Sequence, residues 1–294
     1  MKAAFIIDSL DSLDAAVDTS LGLMQAACER GVEVWATEAQ LLEVADGRAR
    51  ALARAWPSGE VRRIWLDDMS AIFMRTEPPL DEVYLAATFI LDLVDPRRTV
   101  MVNDPRGLRA LSEHLFPLQF PDLIPPTIVS ADGQVLRSFV EGNKVAVIKP
   151  IDGYSGRDVF RLESADPNLA SLLETCTHRG RRPVMAQSFL PEVAYGNKRL
   201  FVVDGQPIGA VYRYPAPGDF RIGPPSAIAE VSSNDRAICA QLAPALRAHG
   251  LRLAGLDVIG HRLIEVNITS PGAMRKADAR LGTSLCPEIL EMLL

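Results

Sequence analysis

Near the C-terminal end, the stretch LDVIGHRLIEVNITSP (256–271) carries Asp257, Glu265 and Asn267 among apolar neighbours. Side chains alternate faces along a strand, so Glu265 and Asn267 project together while Val266 points into the core. Two carboxylates and one amide oxygen on a single surface are hard donors of the kind Mg²⁺ accepts. Burying carboxylates among Leu, Val and Ile is costly unless a cation sits there. The plainer alternative is a surface hairpin with solvated acids. Register separates the two readings. A plain two-residue turn at Gly260-His261 would set Asp257 opposite Ile264 and send Glu265 to the other face. A shared metal therefore requires a longer loop or a bulge, and Gly260 can supply the positive φ.

Other groups suit phosphate. Lys149 ends the hydrophobic run KVAVIKP, where an unpaired ammonium is costly and a phosphate would satisfy it. The turn that follows, Asp152-Gly153-Tyr154-Ser155-Gly156, can offer backbone amides to phosphate oxygens, although any glycine-containing hairpin reads the same way. A Walker loop (GxxxxGK[ST]) is absent, and no GxGxxG follows the first strand, so neither nucleotide motif is supported. Asn197-Lys198-Arg199 sets two positive charges at the start of a strand, with solvated surface as the competing reading. Arg213 precedes, and Arg221 lies within, the stretch YPAPGDFRIGPPSA, whose proline and glycine content suggests a mobile cover. No Ser-His-Asp or Cys-His arrangement suggests nucleophilic catalysis. Of the histidines only His114 reads as other than surface.

These groups need a scaffold, and alternating strands and helices supply it. Strands are expected at Ala3–Ile7, Val32–Ala36, Ile64–Leu66, Ala71–Arg75 and Thr99–Val102, with helices from about Asp18 to Arg30 and from Leu80 to Val94. That order predicts a parallel sheet with helices on both faces. Ligands of such sheets bind beyond the carboxyl ends of the strands, where Asp8, Arg75 and Asn103 form a candidate substrate rim; each could equally be a turn or capping residue. The proline-dense FPLQFPDLIPP (116–126) reads as a join. A second unit carries strands at Thr127–Ser130, Val145–Lys149, Val159–Arg161 and Val184–Gln187. A third carries strands at Arg199–Val203, Gln206–Val211, Gly255–Ile259 and Leu263–Asn267, with a helix over Asn234–Gly250. The expected domains are thus 1–120, 121–190 and 191–294.

Composition bounds the partners. With 48% hydrophobic and 23% charged residues the 294-residue chain has an ordinary globular balance. A net charge of -6 argues against nucleic acid, whose phosphates recruit basic patches. No apolar run approaches the roughly 20 residues of a membrane span, and MKAAFIIDSL reads as a first strand rather than a signal peptide. Cys28, Cys176, Cys239 and Cys286 show no paired spacing and read as reduced thiols of a cytoplasmic protein.

Taken together, MRTEPP (74–79), VNDPRGLR (102–109), IKPIDGYSG (148–156), MAQSFLP (185–191), NKRLFVVDGQPI (197–208) and the C-terminal hairpin motif resemble the bacterial glutathione synthetases, members of the ATP-grasp carboxylate–amine ligases. The resemblance implies an α/β ATP-grasp fold: an N-terminal parallel-sheet domain, a small α+β lid domain and a C-terminal α+β catalytic domain. It implies ATP between the middle and last units, with adenine against Gln187, Phe189 and Leu190. His114, Lys149, Gly153, Gly156 and Lys198 would belong to the nucleotide site. Two Mg²⁺ ions, with Mn²⁺ as a possible substitute, would be held by Asp257, Glu265 and Asn267. A substrate carboxylate would become an acyl phosphate that an amine captures, γ-glutamylcysteine and glycine being the family's pair. Arg213, Arg221 and Arg275 would serve catalysis and the substrate carboxylate, and Ser270 would join Asp8, Arg75 and Asn103 in binding substrate. Tyr154-Ser155-Gly156 and the loop around Arg221 would close over the site. Relatives are commonly homo-oligomers.

The chain also departs from the pattern. His114 stands where the family usually has lysine, Val17 replaces a common lysine, and Tyr154-Ser155 stands where Met-Gly is preferred. The glycine-rich cover is reduced to Arg221-Ile222-Gly223-Pro224-Pro225. A ligase for another acid and amine, or a nucleotide-binding protein without ligase activity, stays open from sequence alone.

Overall fold

The computed structural model describes residues 1–153 and 156–294. The apolar run AAFI is fully buried and forms β1 (Lys2–Ile6), the centre of the first sheet. Asp18 caps α1 (Thr19–Glu29) by accepting from the Leu21 amide, and β2 (Glu33–Thr37) returns parallel to β1. An antiparallel meander then extends the sheet: β3 (Leu42–Ala45), β4 (Arg48–Trp56) and β5 (Val61–Trp65). Next come β6 (Ala71–Met74), α2 (Glu82–Leu91), β7 (Val100–Val102) and α3 (Pro105–Ala110). The parallel part, β2-β1-β6-β7, matches the expectation; the strand expected at Ile64–Leu66 is β5, which pairs antiparallel with β4 rather than joining the parallel part, and β3 and β4 were not foreseen. In RARALARAW the buried face of β4 is Ala49, Ala51 and Ala53, a residue type with little strand preference, so the alternation reads weakly. Alternation places Ala4 and Ile6 in the core under α2, and Ala3, Phe5 and Ile7 in the core under α1.

The middle sheet is antiparallel, in the order β10-β9-β11-β8. It consists of β8 (Thr127–Ser130), α4 (Gly133–Asn143), β9 (Val145–Pro150), β10 (Phe160–Glu163), α5 (Leu169–Cys176) and β11 (Val184–Ser188). Helix α4 was not foreseen; Asp132 caps it, and Leu136 and Val140 alone give it a narrow buried stripe. The third sheet runs β14-β13-β12-β15-β16. It is built from β12 (Asn197–Val203), β13 (Gln206–Pro215), β14 (Ile222–Ala229), α6 (Ser233–Ala248), β15 (Leu253–Ile259) and β16 (Arg262–Asn267), followed by α7 (Met274–Leu281) and α8 (Leu285–Leu293). The cover expected over 214–227 is corrected in part: from Ile222 it is an edge strand paired with β13, and only 216–221 remains loop.

The first and third sheets share both large cores, whereas the middle sheet packs around its own. Asn103 explains part of that join. Its amide donates to the carbonyls of Leu253 and Ile268, both at 2.7 Å, and its oxygen accepts from the Leu253 amide at 2.8 Å. The expectation that Asn103 faces substrate is therefore corrected: every polar atom of this buried side chain is spent on the third sheet's backbone.

Candidate functional site

The β15–β16 hairpin solves the register problem with a bulge. Gly260 takes φ 59° and Ile259 pairs with Arg262, a two-residue turn. Pairing then slips, for Val258 faces Leu263 while Asp257 faces Glu265, leaving Ile264 as the extra residue. Glu265 returns to the face of Asp257, and Asn267 follows two residues on. All three line a cleft of about 700 Å³ between the middle and third sheets.

Asp257 is buried and held by two guanidiniums. Arg199 lies directly across on β12 and donates from Nε at 2.5 Å and from Nη2 at 2.9 Å. Arg213 reaches Oδ2 at 2.7 Å and is itself fixed by the Asn197 oxygen at 2.6 Å. Burial alone would push the Asp257 carboxyl up, but Arg199 and Arg213 outweigh it and hold it well below the usual carboxylate range. Among the described residues Glu265 makes no comparable pair; His114 Nε2 lies 3.7 Å from it.

Lys149, at the end of β9, is buried with its ammonium in the same cleft, and it reaches the Ile264 carbonyl at 3.5 Å, the outer limit of a hydrogen bond. Burial pushes its pKa down while Glu265 and Asp257 pull it back up. A buried ammonium so poorly bonded is a site for an anion. His114 lies beside it, with Nδ1 3.3 Å from the Ile151 carbonyl. Burial lowers its pKa, opposed by Glu265 and aided by Lys149. One wall of the cleft carries Gln187, Phe189 and Leu190; Gly153 and Gly156 sit at its mouth, the latter at φ 68°. Tyr154 and Ser155, expected to help close it, lie outside the described residues. Arg221 lines the opening but is exposed and closed on its neighbour Asp219 at 2.7 Å.

A second recess of about 410 Å³ adjoins the first and shares Glu77, Ser270 and Lys276 with it. Asp8 and Arg75 line it. Arg75 is buried, donates from Nε to Ser20 at 3.2 Å, and among the described residues has no hydrogen-bond partner for Nη1. Burial pushes Asp8 and Glu77 above their ordinary values.

Two more expectations are corrected. Lys198 points to the opposite face of β12 from Arg199, where it binds the buried Asp235 at 2.7 Å and the Glu230 carbonyl at 3.2 Å, away from the cleft. Arg275 turns toward α1 and donates to Gln25 at 2.9 Å; its neighbour Lys276 faces both recesses. Glu113 and Lys276 were missed, and Arg199 was noted only as a charge beside Lys198. Period-two alternation from Asn197 would have singled out Arg199 over Lys198. Glu113 carried no signal: its buried Oε1 accepts from the amides of Ile268 and Thr269 at 2.6 and 2.9 Å, bracing the chain just past Asn267.

The donor set fits a nucleotide-bound metal better than a protein cage. Among the described residues no group of three or more His, Cys, Asp or Glu is arranged to hold a metal. Two carboxylates and an amide leave most of an octahedral shell open, as Mg²⁺ prefers when phosphates and water complete it.

Comparison with known proteins gives the family. Models of the prokaryotic glutathione synthetase N-terminal domain and of its ATP-grasp domain match residues 1–109 and 113–281. The glutathione synthetase of Nostoc sp. is 41% identical over 314 aligned residues, covering 99% of this chain and 97% of its own. That of Thermosynechococcus vestitus is 42% identical over 316, covering 100% and 99%. Among solved structures, the ATP-grasp ligase PsnB complexed with a minimal precursor superposes with a TM-score of 0.69 at 20% identity, covering 100% of this chain and 98% of that one. The D-cycloserine synthetase DcsG gives 0.68 at 17%, with the same coverage. These two share the fold.

Proposed function

The chain belongs to the prokaryotic glutathione synthetases, and from that premise we propose that its cleft joins γ-glutamylcysteine to glycine at the expense of ATP. It is an ATP-dependent ligase of the ATP-grasp fold that uses ATP and Mg²⁺. The observation that carries the residue assignment is the Ile264 bulge, which sets Glu265 beside Asp257 a short distance from the buried Lys149 ammonium.

In this reading Asp257, Glu265 and Asn267 would hold two Mg²⁺ ions, or Mn²⁺ in their place, which when bound neutralise the triphosphate. Charge supports divalent ions: Lys149, Arg157, Arg199, Arg213, Arg221 and Lys276 line the cleft against Glu77, Glu113, Asp219, Asp257 and Glu265, a small surplus against the roughly four negative charges of a triphosphate. Lys149 binds phosphate, while Gln187, Phe189 and Leu190 seat the adenine. Arg75 Nη1, buried without a partner, takes the dipeptide's carboxylate, with Asp8 and Lys276 around it. The dipeptide's reacting carboxylate attacks the γ-phosphorus and ADP leaves. The glycine amine then attacks the acyl phosphate carbonyl, phosphate departs, and the amine's proton is lost. Arg213 stands beside Asp257 to meet the negative oxygen of that second addition. Gly153, Gly156 and the 216–221 loop line the cleft and would exclude water from the acyl phosphate.

Self-association and a cytoplasmic setting belong to the same proposal; the four cysteines are free. Among the described residues no helix is long and apolar enough to cross a membrane. Following ADP release with panels of acids and amines tests the reaction. Turnover that requires both γ-glutamylcysteine and glycine is expected. ADP release with another pair and none with these would overturn the substrate assignment, and nucleotide binding without turnover would overturn the ligase.

A further inference from the structure

The segment that follows α3 is fastened along β16. The Glu113 carbonyl accepts from the Val266 amide at 3.3 Å, and Glu113 Oε1 accepts from the amides of Ile268 and Thr269. His114 is thereby held beside Glu265, with only 7% of its side chain exposed. Its Nδ1 lies 3.3 Å from the Ile151 carbonyl. A carbonyl can only accept, so Nδ1 carries the proton and, in the neutral ring, Nε2 keeps its lone pair. That nitrogen stands 3.7 Å from Glu265 Oε1, too far for a hydrogen bond, and it has no proton to offer a carboxylate or a phosphate. A lone pair beside a carboxylate suits a cation. Ligating histidines characteristically donate their other ring N–H to a backbone carbonyl or carboxylate, as His114 does to Ile151. Two donors each about 2.1 Å from one ion stand roughly 3.0 Å apart at a right angle and roughly 3.4 Å apart in a tetrahedral set. A small side-chain shift closes the difference.

We infer that His114 Nε2 joins Glu265 as a ligand of one of the divalent ions that accompany the nucleotide, and that it tilts this site from Mg²⁺ toward ions that accept imidazole, such as Co²⁺. Oxygen donors alone suit Mg²⁺, whereas a ring nitrogen favours the later first-row metals. Two protein donors leave the other positions to Asn267, phosphate oxygens and water. That agrees with the absence, among the described residues, of a closed cage of three or more such ligands. The inference rests on the metal role proposed for Glu265 and adds to it a nitrogen donor and a metal preference.

The test uses the full chain with a non-hydrolysable ATP analogue, as wild type and as His114→Asn, whose amide keeps a donor toward Ile151 and removes Nε2. With Mn²⁺ as the probe, electron spin-echo modulation should show a directly bonded ¹⁴N in wild type and none in His114→Asn. Labelling the wild type with ¹⁵N-histidine should exchange that signal for ¹⁵N, a readout that needs no variant to fold. Calorimetric titration of Co²⁺ and of Mg²⁺ into the analogue complex should give a Co²⁺-to-Mg²⁺ affinity ratio at least roughly tenfold lower in His114→Asn. A wild type without histidine nitrogen coupling, or a ratio that His114→Asn leaves unchanged, overturns the inference. Glu265→Gln separates it from the reading beneath. If that variant loses metal affinity while His114→Asn alters neither signal, the imidazole ligand alone falls. If Glu265→Gln binds metal as wild type does, the metal assignment falls with it.

Discussion

Asp257 has a structural role before any chemistry is asked of it. Its two oxygens accept from Arg199 and Arg213, yet each carboxylate oxygen offers a further lone pair to a metal. Removing its charge would leave two buried guanidiniums facing nothing, so Asp257→Asn should cost about 3–5 kcal/mol at pH 7. The pH dependence follows from the lowered carboxyl. A group whose folded pKa is depressed contributes stability above its unfolded value, near 3.9 for Asp, and loses it as pH falls toward the folded value. The gap between wild type and Asp257→Asn in denaturant titrations should therefore narrow below about pH 4; a constant gap would contradict the pairing. At this scale the hairpin carboxylates Asp257 and Glu265 drew notice because acids in an apolar run are conspicuous. Lys198 and Arg275 were misread because residue type was weighed without the face, and one position along a strand or helix separates cleft from core.

At the scale of elements, β12 sorts its side chains by alternation: Asn197 and Arg199 toward the cleft, Lys198 toward α6. Ser232 and Asp235 cap α6 reciprocally, and Lys198 ties that cap to the sheet at 2.7 Å. Lys198→Ala should lower stability by about 3 kcal/mol, since it strands a buried carboxylate. The KM for ATP should stay within about twofold of wild type, because no transition-state contact is lost. A large rise in KM with stability intact would return Lys198 to the nucleotide site. Strands with β-branched or aromatic inner faces were readable from sequence. The alanine-faced β4 was not, and β14 was hidden by Pro224-Pro225 and Gly223, residues tolerated there because it is an edge strand. The need for a bulge in the last hairpin followed from register parity alone; its position at Ile264 did not.

Across the whole molecule, the first and third sheets share two cores, and the middle sheet packs around its own beside the cleft. Asn103 joins the first and third sheets by three hydrogen bonds to buried backbone. Asn103→Ala should cost about 3 kcal/mol through those unsatisfied groups, measured as a drop in melting temperature with nucleotide affinity preserved; lost affinity at unchanged stability would contradict it. The order of units was legible from alternating strands and the proline-dense join, whereas the sharing of cores between distant segments leaves no local trace. The central claim is that the bulged hairpin seats the metal–nucleotide complex, and calorimetric titration of a non-hydrolysable ATP analogue with and without Mg²⁺ tests it most directly. Wild type should bind tightly only with the metal, and Glu265→Gln should lose at least roughly tenfold in that metal-dependent affinity while melting as wild type does. Equal Mg²⁺-dependent affinity in the two proteins would contradict the account.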